Sequence, residues 1–91
     1  MMAMIKLNEN VVMDELEQGA VLLDTKHEKM VLLQEREHFL LKKSFSCAIS
    51  DLIEDAIRLF EGDEDEIRND IVAFFRKLKE EVFIVANDMI L

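Results

Sequence analysis

Residues 19–35, Gly-Ala-Val-Leu-Leu-Asp-Thr-Lys-His-Glu-Lys-Met-Val-Leu-Leu-Gln-Glu, constrain this chain more than any other stretch. Residues 20–23 and 30–33 are short continuous apolar runs rich in Val and Leu, the pattern of buried strands. The six-residue polar spacer between them, residues 24–29, fits a hairpin better than a helix. From Gln34 onward the period lengthens to that of a helix. A hairpin that runs straight into helices leaves its second strand as a sheet edge. Such an edge presents unpaired backbone groups that an extended peptide can use.

The remaining elements follow from spacing and punctuation. Residues 8–13 read as a short first strand, and residues 35–45 as a first helix with Leu33, Phe39 or Leu40, and Leu41 inward. A second helix is expected to start near Ser46 as N-cap. It carries Ile49, Leu52, Ile53, Ala56, Ile57 and Phe60 at spacings of three and four, one buried face. Gly62 is expected to cap its C-terminus. Asp63 and Glu66 make a capping pair for a third helix, with Glu64 and Asp65 favourable at its positive end. That helix carries Ile67, Ile71, Phe74, Phe75, Leu78 and Val82. Beside this stripe, Arg68, Val72, Phe75 and Lys79 form a second row that mixes apolar residues with cations. The row either packs against the hairpin or walls a groove suited to an acidic amphipathic peptide.

Bulk properties exclude several classes. Ninety-one residues make one domain, 1–91, and a content of 51 % hydrophobic residues supports a packed core. No window of about 18 apolar residues is present, so no membrane span is expected. The opening Met-Met-Ala-Met-Ile-Lys-Leu lacks the features of a secretory signal, and a cytoplasmic protein is expected. A single cysteine, Cys47, offers neither a disulfide framework nor a zinc thiolate cluster. A net charge of −9, with eleven scattered basic residues, argues against nucleic acid as a partner. Glu35 and His38 have the i, i+3 spacing of bundle metal sites, but no second such pair joins them. Asp63, Asp65 and Glu66 lack the alternating ligands of a calcium loop. With no nucleophile–base constellation and no phosphate-cradling glycine loop, neither enzymatic activity nor a cofactor or metal is expected. The apolar tail, residues 82–91, docks on its own core or serves a homodimer.

Taken in order, Lys6-Leu7-Asn8, Gly19-Ala-Val-Leu-Leu-Asp24, Leu33-Gln34-Glu35 and Lys79-Glu80-Glu81-Val82 give the chain a likeness to a known family. It resembles the PqqD-like proteins, the RiPP recognition elements, over about residues 6–85. It departs from their pattern at Glu28, which stands for a turn glycine, and at Met30 and Val31, which replace strand aromatics. Glu37, His38 and Leu41 stand where small residues and a tryptophan are common, and Glu81-Val82-Phe83 where a glycine usually follows the third helix.

The resemblance implies an α+β, winged helix-turn-helix-like fold: an N-terminal three-stranded antiparallel sheet packed on three α-helices, without catalytic residues. Members bind the leader segment of a ribosomally made precursor peptide and present it to a modifying enzyme. That enzyme is a radical S-adenosylmethionine protein in the pyrroloquinoline quinone pathway, or a leader peptidase in lasso-peptide pathways. The leader adds to the third strand and lies against the third helix. Carried onto this chain, the peptide-binding residues are Lys29, Met30, Val31, Leu32 and Leu33 on the edge, with Arg68, Val72, Phe75 and Lys79 on the helix. Val72 and Phe75 would receive apolar leader side chains, and Arg68 and Lys79 would orient acidic ones. A second class stays open: a winged-helix structural or regulatory protein that homodimerises through its edge strand or tail.

Overall fold

The structure, a computed structural model, describes residues 5–86. In chain order it comprises β1 (Ile5–Leu7), β2 (Val11–Leu16), β3 (Gly19–Asp24), β4 (Lys29–Gln34), α1 (Glu35–Ser44), α2 (Ile49–Leu59), α3 (Glu64–Glu80) and β5 (Ile84–Ala86). The expected hairpin is β3–β4, with Gly19 opposite Gln34 and Asp24 opposite Lys29. β2 pairs antiparallel with the other side of β3, so the sheet order is β2-β3-β4 and β4 is an edge. The first strand of this sheet lies later than residues 8–13 because Asn8 makes a turn instead: its carbonyl accepts from Val11 N at 3.0 Å and its side chain from Glu9 N at 2.8 Å.

The sheet packs its inner face on the helices. Ala20, Leu22 and Leu33 meet Leu40 and Leu41 of α1, Leu52, Ile53 and Ala56 of α2, and Ile71, Phe75 and Leu78 of α3 in one buried cluster. Gly19 holds the hairpin's open end together. It sits at φ +143°, and a Cβ there would collide with the backbone carbonyl of Leu33.

Two of the expected helix boundaries shift. Ser46 is not an N-cap: its hydroxyl donates back to Lys43 O at 3.2 Å, and α2 starts after Ala48, which has no side chain able to cap. Gly62 lies in the link beyond Phe60, the residue that ends α2. The cap of α3 is as expected, with the Asp63 side chain accepting from Glu66 N at 3.2 Å. α1 begins with a reciprocal box in which Gln34 N donates to Glu37 Oε1 at 2.9 Å.

A two-stranded sheet, β1–β5, was not legible in the sequence. Leu7 faces Ile84 and Ile5 faces Ala86. Asn8 fixes the junction, its backbone N–H donating to Phe83 O at 3.1 Å and its side-chain amide to Val82 O at 3.0 Å. The described part of the apolar tail therefore docks on its own chain, with Phe83 and Ile84 buried. The rest of that tail, residues 87–91, lies outside the described residues.

Candidate peptide-binding site

The edge strand β4 alternates cleanly. Lys29, Val31 and Leu33 turn toward the helices, beside Asp24, Leu22 and Ala20 of β3, while Met30, Leu32 and Gln34 turn outward. Met30 and Leu32 are 65 % and 64 % exposed, whereas Leu33 is 1 % exposed and belongs to the core. In an antiparallel ladder every second residue points its N–H and C=O away from its partner, so β4 offers backbone pairs along its outer side. None of the described strands pairs there.

Two contacts fix how β4 lies against α3. At the start of the strand, Lys29 Nζ donates to Glu81 O at 2.7 Å and stands 5.2 Å from the Phe83 ring centre, just past the end of α3. At the other end the chain enters α1. There Arg36, Glu37 and Leu40 share a cavity of about 160 Å³ with Phe60 and with Ile67, Asp70, Ile71 and Phe74 of α3. The start of β4 therefore lies near the C-terminal end of α3, and α1, which continues from β4, lines a cleft with the Ile67–Phe74 stretch of α3.

Burial corrects one member of the residue row assigned from the sequence. Phe75 is 0 % exposed and cannot receive a ligand side chain. It buttresses Phe74 instead, with ring centres 5.0 Å apart in an edge-on contact. Arg68 and Val72 lie on the opposite flank, in a cleft with Ser50, Ile53 and Glu54 of α2. Lys79 is exposed and shares their flank by helical rotation. The flank beside the edge carries Ile67, Asp70 and Phe74. That flank is apolar with Asp70, and helical rotation adds the exposed Lys77 toward its C-terminal end. Spacing placed Ile67 and Phe74 on the core stripe; their partial exposure depends on which side of α3 the strand passes, and no residue pattern encodes that.

Hydrogen bonds and ion pairs set the groove's frame. The Asp24 carboxylate, which opens the hairpin turn, is buried and accepts from Lys26 N at 3.1 Å, His27 N at 3.0 Å and His27 Nδ1 at 2.9 Å. Burial alone would raise its pKa, but the bonds from His27 and Lys26 outweigh it and hold the carboxyl below its usual range. Glu15 on β2 accepts from Lys42 Nζ at 3.0 Å and His38 Nε2 at 2.8 Å, which lowers its pKa and ties α1 to the sheet. His38 is thus engaged with Glu15 and does not form the Glu35 pair considered above. Arg36 stands 4.3 Å from the Phe60 ring centre and forms the rim of the cavity. Among the described residues no group of three or more His, Cys, Asp and Glu is arranged to hold a metal, and no helix is long and apolar enough to cross a membrane.

No protein-family model matches the chain, and no curated protein does. Solved structures do. One is a lasso peptide synthetase B1 complexed with the leader peptide, at TM-score 0.82 and 19 % identity over 91 % of this chain and 99 % of that one. Another is TbiB1 in complex with the TbiA(beta) leader peptide, at TM-score 0.75 and 16 % identity over 87 % of this chain and 93 % of that one. This chain has the PqqD-like fold. The strand pair expected from residues 19–35, the three helices expected from spacing and the three-stranded antiparallel sheet that the resemblance implied are the architecture observed, with the β1–β5 pair added to it.

Proposed function

We propose that this protein binds the leader segment of a ribosomally synthesised precursor peptide as a fourth strand on β4. It would present that peptide to a modifying enzyme without itself catalysing a reaction. The observation that carries the reading is the β4 edge, unpaired among the described strands, in a fold for which two solved structures are complexes with leader peptides. Backbone groups of residues 29–33 supply ladder hydrogen bonds, which give affinity with little sequence discrimination. Selectivity comes from the groove: Phe74, Ile67 and Leu40 take apolar leader side chains, and Met30 and Leu32 flank the added strand on its other face. The modifying enzyme is a radical S-adenosylmethionine protein or a leader peptidase, the partners that the family resemblance implies.

Titration of isotope-labelled protein with the leader of the precursor encoded beside it tests this. Amide shifts concentrated on residues 29–34 and on Ile67, Asp70 and Phe74 are the expected result. A folded sample that shows no shifts with that peptide removes the reading. The same bare edge also suits self-pairing, so sedimentation of the peptide-free protein is the companion measurement. A tight dimer whose edge stays closed to peptide would favour a dimeric structural protein.

A further inference from the structure

The two ends of the β4 edge differ in charge. Its first residue lies by the C-terminal end of α3, where Lys29 and Lys77 stand against Glu80 and Glu81 and nearly cancel. Its last residue runs into α1, where the balance is one-sided. Glu35 and Glu37 occupy the first turn of α1, and Asp70 shares the adjoining cavity wall. One turn back on α3 come Glu64, Asp65 and Glu66. The cations at this end are Arg36 and Arg68, and Arg68 is paired with Asp65 at 3.4 Å. The half positive charge at each helix N-terminus offsets little of the acidic excess.

Asp70 shows that helix stability alone does not account for this end. Acids in a first turn suit the helix that carries them, but Asp70 lies in the second turn of α3, beyond that benefit. The residues three and four positions from it are Glu66, Ile67, Ala73 and Phe74, none of them a cation. Glu66 and Asp70 are like charges at i, i+4, an arrangement that weakens a helix.

We propose that this end receives a cationic flank of the leader: lysine or arginine residues just N-terminal to the segment that adds to β4. The proposal rests on the leader-binding reading above. Direction follows from the sheet, in which each pairing is antiparallel, the slightly stronger ladder. A leader strand added in that sense has its N-terminal side at Gln34 and its C-terminal side at Lys29. Six residues of strand separate the two ends by about 20 Å. That exceeds the screening length of about 8 Å at physiological ionic strength, so each flank of the peptide is read by its own end of the edge. Backbone ladder bonds alone discriminate little between registers. The charge polarity of the edge selects one, and so presents the same leader residues to the enzyme each time.

The test uses the full chain and two synthetic variants of the leader encoded beside it, identical in the strand-forming segment, composition and net charge. One carries two lysines on the N-terminal flank and two glutamates on the C-terminal flank; the other has them exchanged. Fluorescence anisotropy should show the first binding about fivefold or more tightly at low salt, and the two converging within about twofold at 0.5 M salt. Glu35→Gln with Asp70→Asn should shrink the preference. Asp51→Asn with Glu54→Gln, which removes the same charge from α2, should leave it in place. Should the first pair fail to fold, the salt series on the wild-type protein decides alone. Equal affinities, a reversed preference, or an equal loss of preference in both folded variants overturns the proposal while leader binding stands. A wild-type protein that binds neither the native leader nor its variants removes the underlying reading as well.

Discussion

Val82 ends α3 in the left-handed region, at φ +65°, where a β-branched residue is strained. Its N–H donates to Lys79 O at 3.1 Å and the Phe83 N–H to Leu78 O at 2.9 Å, the two bonds of a Schellman cap whose central residue is usually glycine. A left-handed L-residue costs about 1–2 kcal/mol, and the half-exposed Val82 side chain returns little of it. Val82→Gly should therefore raise stability by about 1 kcal/mol, read as a melting temperature several degrees higher. The other non-glycine residue with positive φ is Glu28, at +54° in the hairpin turn. Both positions are ones where the family pattern has glycine, so these departures were legible as residues although their backbone strain was not. Gly19 is the opposite case: Gly19→Ala forces a Cβ against Leu33 O and should destabilise by roughly 2–4 kcal/mol in urea unfolding. Asp24 makes the pH prediction. Its folded pKa lies below the ordinary 3.8, so its stabilising contribution is complete above that value and is lost as pH falls through the depressed folded value. The urea midpoint should drop on that acid limb, and Asp24→Asn should flatten the drop; an unaltered limb in the variant would assign it to other carboxylates.

At the scale of elements, the pairing of β4 with α3 decides what the groove can read. Phe74→Ala should weaken leader binding by about 1–3 kcal/mol, as loss of an apolar anchor does. Val72→Ala, on the far flank, should change it by less than about 0.5 kcal/mol. Phe75→Ala removes a fully buried ring and should cost about 3–5 kcal/mol of stability, so a loss of binding there reports unfolding. Calorimetry paired with circular dichroism separates the three; equal effects at Val72 and Phe74 would sink the assignment of the flank. The hairpin, the capped start of α3 and the apolar stripe of each helix were readable because each rests on local residue types: alternating or continuous apolar runs, Asp63 before Glu66, Ile and Leu at spacings of three and four. The flank of α3 facing the edge was not, because it depends on the hand of a connection through two intervening helices. The β1–β5 pair was hidden for a similar reason. Three residues at each end of the described chain form a ladder whose partners are 77 to 81 positions apart, with no turn signal between them.

The whole molecule adds a long-range field to this local groove. With a net charge of −9 the long-range field of the molecule is negative, although Lys29 and Arg36 keep their charges beside β4 and helical rotation adds Lys77 to the Asp70 flank. Asp70 on the wall and Glu35 at the head of α1 reinforce it, while Arg68 and Lys79 lie round the helix on the other flank. Adding two lysines to the leader outside its strand-forming segment should therefore speed association several-fold at low salt and leave dissociation nearly unchanged. Two added glutamates should slow it. At about 0.5 M salt, where the screening length falls to a few ångströms, the three peptides should associate alike. Stopped-flow fluorescence at two salt concentrations makes the comparison. Faster capture of the acidic peptide would mean that the Arg68–Lys79 flank governs recognition, and would return the groove to the side that residue spacing alone had favoured.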